Sequence, residues 1–219
     1  MWSQSLISDL STALRAFPSQ WDGKRAILEM KESGSRNWRQ MEWIGWYFEY
    51  LCQQYLIPVI EMPGPNYGKA RFDGICETPW DFKCHASNTS SHRIIVNDLE
   101  AVELACKEYG AIGVILAVGE VVYNDKETRA FQTWHDTLKG KESAYVKARK
   151  ERGAWSRLRK VGLTLEEIHL IWIDRMLVDS SCRFQGGFRN ADGGTRRSKL
   201  MLNLEQLDEE IVHTIHFER

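Results

Sequence analysis

Apolar residues recur at helical spacing in two stretches near the start of the chain. In residues 2–16 the apolar stripe ends just before Pro18, which marks the end of a predicted helix. A second stripe predicts a long helix from residue 38 to about residue 55, with Asn37 as its N-cap. The stripes consist of Trp2, Leu6, Ile7, Leu10 and Leu14, and of Met41, Ile44, Gly45, Phe48, Leu51, Cys52 and Tyr55.

Strand and helix patterns alternate along the rest of the chain. Short strands are predicted at 70–73 and 80–85, and the continuous apolar runs at 111–118 and 167–174 are typical of strands buried on both faces. The remaining predicted elements are a strand at 93–97, a helix at 99–109 capped by Asp98, a strand at 200–204 and a final helix from Glu205. This order predicts an α/β fold, with a mixed central β-sheet flanked by helices.

Length and composition are those of an ordinary folded domain. The chain has 219 residues, 43% hydrophobic and 27% charged, so we expect one domain over residues 1–219. It has no run of about eighteen apolar residues and no N-terminal secretion signal, which predicts neither a membrane span nor export. Five scattered cysteines without a C-x-x-C pair suit a reducing cytoplasm, where we expect the protein to be located.

The candidate chemistry is concentrated in residues 72–85, which include two aspartates and a lysine. Asp81 and Lys83 are two positions apart on a predicted strand, so their side chains point to the same face. A bend at Gly74 and Pro79 returns the chain, so that Asp73 lies beside Asp81. Two carboxylates on one rim suit a hard cation such as Mg²⁺, and an adjacent lysine can orient water or offset charge on a phosphate.

At these residues the sequence resembles the PD-(D/E)xK nuclease superfamily. Asp81-Phe82-Lys83 matches the D-x-K half, whereas Phe72 stands where the pattern has proline before Asp73. The resemblance implies a restriction-endonuclease-like fold with catalytic Asp73, Asp81 and Lys83. It also implies Mg²⁺ held by Asp73, Asp81 and the Phe82 carbonyl, and products with a 5′-phosphate and a 3′-hydroxyl.

A helix that precedes the metal strands often supplies a further glutamate in this superfamily. Gly45-Trp46-Tyr47-Phe48-Glu49 resembles its G-x-x-F-E pattern. Glu42 lies seven residues earlier, which is about two helical turns, so both glutamates lie on one line along the predicted helix. Glu42 and Glu49 are therefore both candidates for the site.

The second half of the chain holds the candidate DNA contacts. Residues 126–160 contain eleven Lys or Arg against four Asp or Glu, which suits phosphate contacts even though the formal net charge of the chain is −1. A glycine-rich stretch then carries side chains that suit base edges in the major groove. The candidates for DNA contact are Arg183, Gln185, Arg189, Asn190, Arg196, Arg197 and Lys199.

These observations lead to a specific hypothesis with alternatives. The chain resembles a type II restriction endonuclease, with a catalytic core at roughly 37–123 and DNA-contacting elements at roughly 126–199. Such an enzyme cuts double-stranded DNA as a homodimer on a palindromic site, and a cognate DNA methyltransferase protects the host. The alternatives are a repair or junction-resolving nuclease of the same superfamily, and a DNA-binding module that does not cut. A zinc site at Cys76, Cys84 and His85 is a further alternative, but a structural zinc site normally has four ligands and no second pair lies nearby in the sequence.

Overall fold

The computed structural model describes residues 1–124, 126–140, 142, 144–154, 157–180, 183–186 and 197–218, except the side chains of residues 145 and 183–185. Short 3₁₀ helices occur at Arg36–Arg39, Leu204–Gln206 and Glu209–Ile211. The α-helices are α1 (Gln4–Arg15), α2 (Gly23–Glu32), α3 (Trp43–Tyr55), α4 (Leu99–Tyr109), α5 (Ala130–Leu138), α6 (Ala144–Glu151) and α7 (Arg175–Ser180). The strands are β1 (Gln20–Asp22), β2 (Asn66–Tyr67), β3 (Ala70–Arg71), β4 (Gly74–Cys76), β5 (Thr78–Ala86), β6 (Arg93–Asp98), β7 (Ala111–Tyr123), β8 (Lys160–Asp174), β9 (Arg183–Gln185), β10 (Lys199–Asn203) and β11 (Val212–His216).

The central sheet has the strand order β1-β8-β7-β5-β4, and β11 pairs with β8 at the same edge as β1. Its strands pair antiparallel except for β5 and β7, which run parallel and are connected through α4. A parallel pair needs such a crossover, whereas antiparallel neighbours do not. The predicted α/β fold with a mixed central sheet flanked by helices is therefore confirmed.

The two faces of β7 bury two separate apolar clusters. Ile115 and Ala117 face the cluster formed with α1, α2 and α3, while Val114 and Leu116 face the cluster formed with α4 and the second sheet. This alternation follows from the two-residue period of a strand. Gly113 makes room for the neighbouring strand, because a Cβ atom there would lie 2.4 Å from the ring of Trp80.

A second sheet of three strands, β6-β10-β9, lies beside the central sheet. Its apolar residues complete the cluster under α4. The β2–β3 hairpin is hydrogen-bonded to this sheet, since the side-chain amide of Asn97 donates to the Arg71 carbonyl over 3.2 Å. The chain then leaves β3 and reaches the first candidate aspartate two residues later.

The predicted long helix from residue 38 is wrong at its start, because α3 begins at Trp43. Ser35, rather than Asn37, caps the preceding turn by accepting a hydrogen bond from the Asn37 amide. The Trp38 carbonyl lies 2.8 Å from Nε2 of the buried His135. In a continuous helix this carbonyl would accept a hydrogen bond from the amide of Glu42. Here it contacts His135 instead, so a tertiary contact replaces the helical hydrogen bond.

The predicted final helix is also wrong. After two 3₁₀ turns the chain forms β11, whose residues pair from Val212 opposite Ile171 to His216 opposite Glu167. The open edge of β8 supplies backbone partners, and Ile215 is fully buried in the core. His213 and His216 therefore lie on a strand and not on a helix surface. No helix of the described residues is long and apolar enough to cross a membrane.

Candidate active site

Asp73 is held by backbone hydrogen bonds in the turn between β3 and β4. Its amide donates to the Trp80 carbonyl over 2.8 Å, and its Oδ2 accepts from the Phe82 amide over 2.6 Å. Phe72, at the position where the PD-(D/E)xK pattern has proline, is fully buried, and its amide donates to the Pro65 carbonyl over 3.0 Å. Asp73 therefore directly follows a buried aromatic side chain and is hydrogen-bonded to the backbone of β5.

Gly74 allows close packing directly after Asp73. A Cβ atom at Gly74 would lie 2.3 Å from Cγ2 of Ile60, and a Cβ at Gly64 would lie 2.4 Å from the Gly74 carbonyl oxygen. The segment before β2 thus packs directly against the start of β4. This close packing sets the position from which the carboxylate of Asp73 reaches β5.

Asp81 and Lys83 project from the same face of β5, as their spacing predicts. Lys83 Nζ lies 2.6 Å from Asp81 Oδ2 and 3.4 Å from the Phe82 carbonyl oxygen. The Asp81 side chain is 3% exposed, whereas that of Lys83 is 27% exposed. Apart from this ion pair, Oδ2 of Asp81 has no hydrogen-bond partner among the described residues. A buried carboxylate oxygen without a full set of partners has unused capacity for a ligand.

The electrostatics of this group reflect three carboxyl groups around one ammonium. Burial raises the pKa of Asp81 to about 7; the nearby Lys83 opposes the rise and the charge of Asp73 adds to it. Burial and Asp73 likewise raise the pKa of Glu49 to about 7, against the effect of Lys83. Burial acts to lower the pKa of Lys83, but Asp81, Asp73 and Glu49 outweigh it and raise that pKa. Lys83 is therefore an ammonium at neutral pH.

The structure separates the two candidate glutamates. Glu49, on α3, lies close enough to Asp73 and Lys83 for their charges to shift its pKa. Glu42 precedes the first residue of α3, its side chain is 65% exposed, and it forms an ion pair with Lys160 over 3.0 Å. Only Glu49 therefore joins the group formed by Asp73, Asp81 and Lys83.

The donor atoms of this group fit a magnesium ion better than a zinc ion. In the part of the chain that the structure describes, no three His, Cys, Asp or Glu side chains form a set that could hold a metal by themselves. Cys76, Cys84 and His85 therefore do not form a zinc site. Mg²⁺ needs only one or two carboxylates and takes its remaining ligands from water and phosphate. Asp73, Asp81 and the Phe82 carbonyl offer that partial set.

The candidate DNA-reading residues are only partly described. Arg197 and Lys199 both form ion pairs with Asp98, a carboxylate 7% exposed, and the Arg197 pair measures 3.5 Å. Asp98 was predicted as a helix cap and lies at that position, but its side chain makes no capping hydrogen bond. Arg183 and Gln185 lie in β9, paired with β10, and their side chains are outside the described set. Arg189, Asn190 and Arg196 also lie outside the described residues.

Several cations of the basic segment 126–160 form ion pairs with carboxylates of the chain. Lys139 contacts Asp136 over 2.7 Å, Lys150 contacts Glu142, and Lys160 contacts Glu42. The i,i+3 spacing of Asp136 and Lys139 is visible in the sequence, whereas the pair between Lys160 and the distant Glu42 depends on the tertiary structure. The prediction that this segment contacts phosphates stays a prediction.

No protein-family model and no curated protein sequence matches the chain. Among solved structures, the crystal structure of the restriction endonuclease BglI bound to its DNA recognition sequence is similar over 97% of this chain and 86% of that chain. The two share 13% sequence identity, and the TM-score is 0.44.

Proposed function

We propose that this protein is a magnesium-dependent nuclease that hydrolyses phosphodiester bonds of double-stranded DNA. One observation carries the proposal: the Lys83 ammonium lies 2.6 Å from the buried carboxylate of Asp81, with Asp73 and Glu49 acting on the same lysine. A structural ion pair needs one carboxylate, and crowding further acids together opposes their ionisation unless a cation joins them. Such crowding is therefore typical of a metal site.

Each residue of the group has a role that its position supports. Asp73 and Asp81 would hold the metal, with the Phe82 carbonyl beside them. The metal, when bound, lowers the pKa of its water and offsets charge on the phosphate. Lys83 would orient the attacking water and stabilise negative charge on the phosphate oxygens, since it is already protonated. Glu49, with a pKa near 7, is suited to accept a proton at neutral pH.

Within this proposal the enzyme is a type II restriction endonuclease. Cutting both strands requires two active sites, so a homodimer on a palindromic sequence is the assembly we propose. A cognate DNA methyltransferase would protect the host genome. Arg197 and Lys199, just before and at the start of β10, would contribute to DNA contact by binding phosphate in addition to or in place of Asp98.

The test is digestion of phage and plasmid DNA with Mg²⁺, comparing the wild type with Lys83→Ala and with Lys107→Ala, an exposed lysine on α4. We expect discrete fragments from the wild type and the Lys107 variant, and none from the Lys83 variant. Cleavage that persists in Lys83→Ala would place the active site elsewhere. Intact DNA in all three reactions would contradict the restriction hypothesis and direct the assay to branched substrates.

A further inference from the structure

Cations near the N-terminus of the chain are held against tryptophan rings instead of carboxylates. Lys31 Nζ lies 5.5 Å from the ring centroid of Trp38, and the Arg39 guanidinium carbon lies 5.0 Å from the same ring. Lys24 Nζ lies 5.6 Å from the ring centroid of Trp134. We refer to Lys24, Lys31 and Arg39 with these two rings as the N-terminal basic patch.

The way these side chains are held leaves their charge free. All three cationic residues are exposed, and none forms an ion pair with a described carboxylate. By contrast, Arg25 on the same helix is bound to Glu29 over 2.8 Å. A cation–π contact orients a cation without cancelling its charge, whereas a carboxylate cancels it. The patch therefore presents oriented positive charge that the fold itself does not neutralise.

The patch lies at the end of α3 that is closest to β8. Arg39 lies three residues before Glu42, which contacts Lys160 at the start of β8. Trp43, the first residue of α3, donates its indole N–H to the Lys160 carbonyl over 2.7 Å. The Trp38 carbonyl contacts His135 on α5, the helix that also carries Trp134, so the two tryptophans of the patch lie near each other.

Helix α3 connects the patch to the candidate active site. It packs against β5, the strand that carries Asp81 and Lys83. Glu49 lies six residues after Trp43, which is about 9 Å along the helix axis. The patch therefore lies at the end of the helix that contributes Glu49 to the candidate active site.

We propose that the N-terminal basic patch binds the phosphate backbone of the DNA flanking the bond to be cut. This inference rests on the proposed function and extends it to a surface outside residues 126–199. Phosphate contacts hold a duplex in register without reading its sequence. The expected consequence is stronger binding of every duplex, with no change in the preferred site.

The test measures DNA affinity as a function of salt, in EDTA so that no cleavage occurs. Lys31→Met/Arg39→Met removes both charges and keeps an aliphatic chain over Trp38. Each lost phosphate contact reduces the slope of log K against log salt by about 0.9, so we expect a slope smaller by about two. Between about 50 and 200 mM salt, the variant should lose about tenfold less affinity than the wild type.

Two controls make the result specific. Arg25→Met removes an exposed charge from the same helix that Glu29 already neutralises, and it should leave the slope unchanged. Lys31→Arg/Arg39→Lys keeps both charges and should also keep the wild-type slope. Arg25→Met should also keep the wild-type cleavage rate, because the Arg25 side chain pairs with Glu29 and belongs to neither the patch contacts nor the candidate active site.

The outcomes separate this inference from the proposed function. A wild type that cuts DNA, together with an unchanged slope in Lys31→Met/Arg39→Met, would overturn the inference and leave the function standing. An equal drop in Arg25→Met would also overturn it, since the effect would then be one of overall charge. A wild type that neither binds nor cuts DNA would overturn both.

Discussion

The amide of Phe82 donates a hydrogen bond to Oδ2 of Asp73 over 2.6 Å, and this bond connects the turn after β3 to the strand that carries Asp81 and Lys83. It holds the carboxylate of Asp73 against the backbone of β5 at Phe82, between Asp81 and Lys83. The two candidate aspartates are thus positioned by backbone contacts, which change little when a side chain is replaced.

This arrangement predicts that Asp73→Asn keeps the fold and loses the activity. The amide oxygen of asparagine can still accept from the Phe82 N–H, but it carries no charge for a cation. We expect the cleavage rate to fall by roughly a hundredfold or more, as for loss of other charge-stabilising groups. Calorimetric titration should show weaker Mg²⁺ binding, while the circular dichroism spectrum stays that of the wild type. Unchanged Mg²⁺ affinity would show that Asp73 is not a ligand.

The two glutamates should behave differently. Glu49→Gln removes a carboxyl group that acts on Asp73 and Lys83, so we expect a fall in kcat and a change in its pH profile between about pH 6 and 8. Glu42→Gln removes only an exposed ion pair with Lys160, and such pairs contribute roughly 0–1 kcal/mol. Its kcat should be that of the wild type. A Glu42 variant that loses activity as strongly as the Glu49 variant would contradict this assignment.

Asp81→Asn should stabilise the metal-free protein at high pH. The pKa of Asp81 in the folded state is about 7, above the ordinary value of about 3.9. Between these values the folded state binds more protons than the unfolded state, so the free energy of unfolding falls as pH rises. The asparagine variant does not ionise and escapes this loss. The ion pair with Lys83 limits the gain, which we place at about 1 kcal/mol, or about 2–4 °C in Tm.

The measurement is a series of thermal unfolding curves from pH 4 to pH 8, in EDTA and in Mg²⁺. In EDTA, the Tm difference between Asp81→Asn and the wild type should grow from pH 4 to pH 8. Mg²⁺ should raise the Tm of the wild type but not that of the variant, because a bound ligand stabilises the state that binds it. The control is Asp179→Asn, which replaces a carboxylate whose side chain is 60% exposed. Its Tm difference from the wild type should not grow with pH. A constant Tm difference across the series would be incompatible with a raised pKa.

Placing a proline at position 72, as in the PD-(D/E)xK pattern, should destabilise this chain. Phe72→Pro removes a fully buried ring and also the N–H that donates to the Pro65 carbonyl. Loss of a buried phenylalanine alone costs about 3–5 kcal/mol, and the loss of the hydrogen bond to the Pro65 carbonyl adds to that cost. Phe72→Leu keeps the N–H and most of the apolar volume, so it should cost clearly less. Denaturant unfolding of both variants compares their free energies of unfolding. Equal stabilities would show that neither the Phe72 N–H nor the apolar volume at this position matters for stability.

Parts of the candidate site could be predicted because they depend only on local geometry. Asp81 and Lys83 share a face because a strand has a period of two, and this holds in any fold that keeps β5. The fully apolar run of β7 indicated a central strand, because only a strand covered on both faces lacks polar positions. These predictions needed no knowledge of the neighbouring elements.

Other features depended on contacts between residues distant in the chain. His135 takes the Trp38 carbonyl and delays the start of α3, and the open edge of β8 recruits β11 in place of a helix. Propensity cannot anticipate either, because tertiary hydrogen bonds outweigh local preferences of less than about 1 kcal/mol per residue. The pairing of Lys199 with Asp98 likewise depends on the register between β6 and β10.

The sequence by itself determined which residue types are available and which of them share a face of one strand. It placed Asp81 and Lys83 on one face of a strand and set the strand and helix periods. Only the tertiary structure decided between Glu49 and Glu42, because helical spacing puts both on one line and says nothing of what lies opposite. The burial that raises the pKa of Asp81 also belongs to the tertiary structure, since desolvation depends on every element packed around a group.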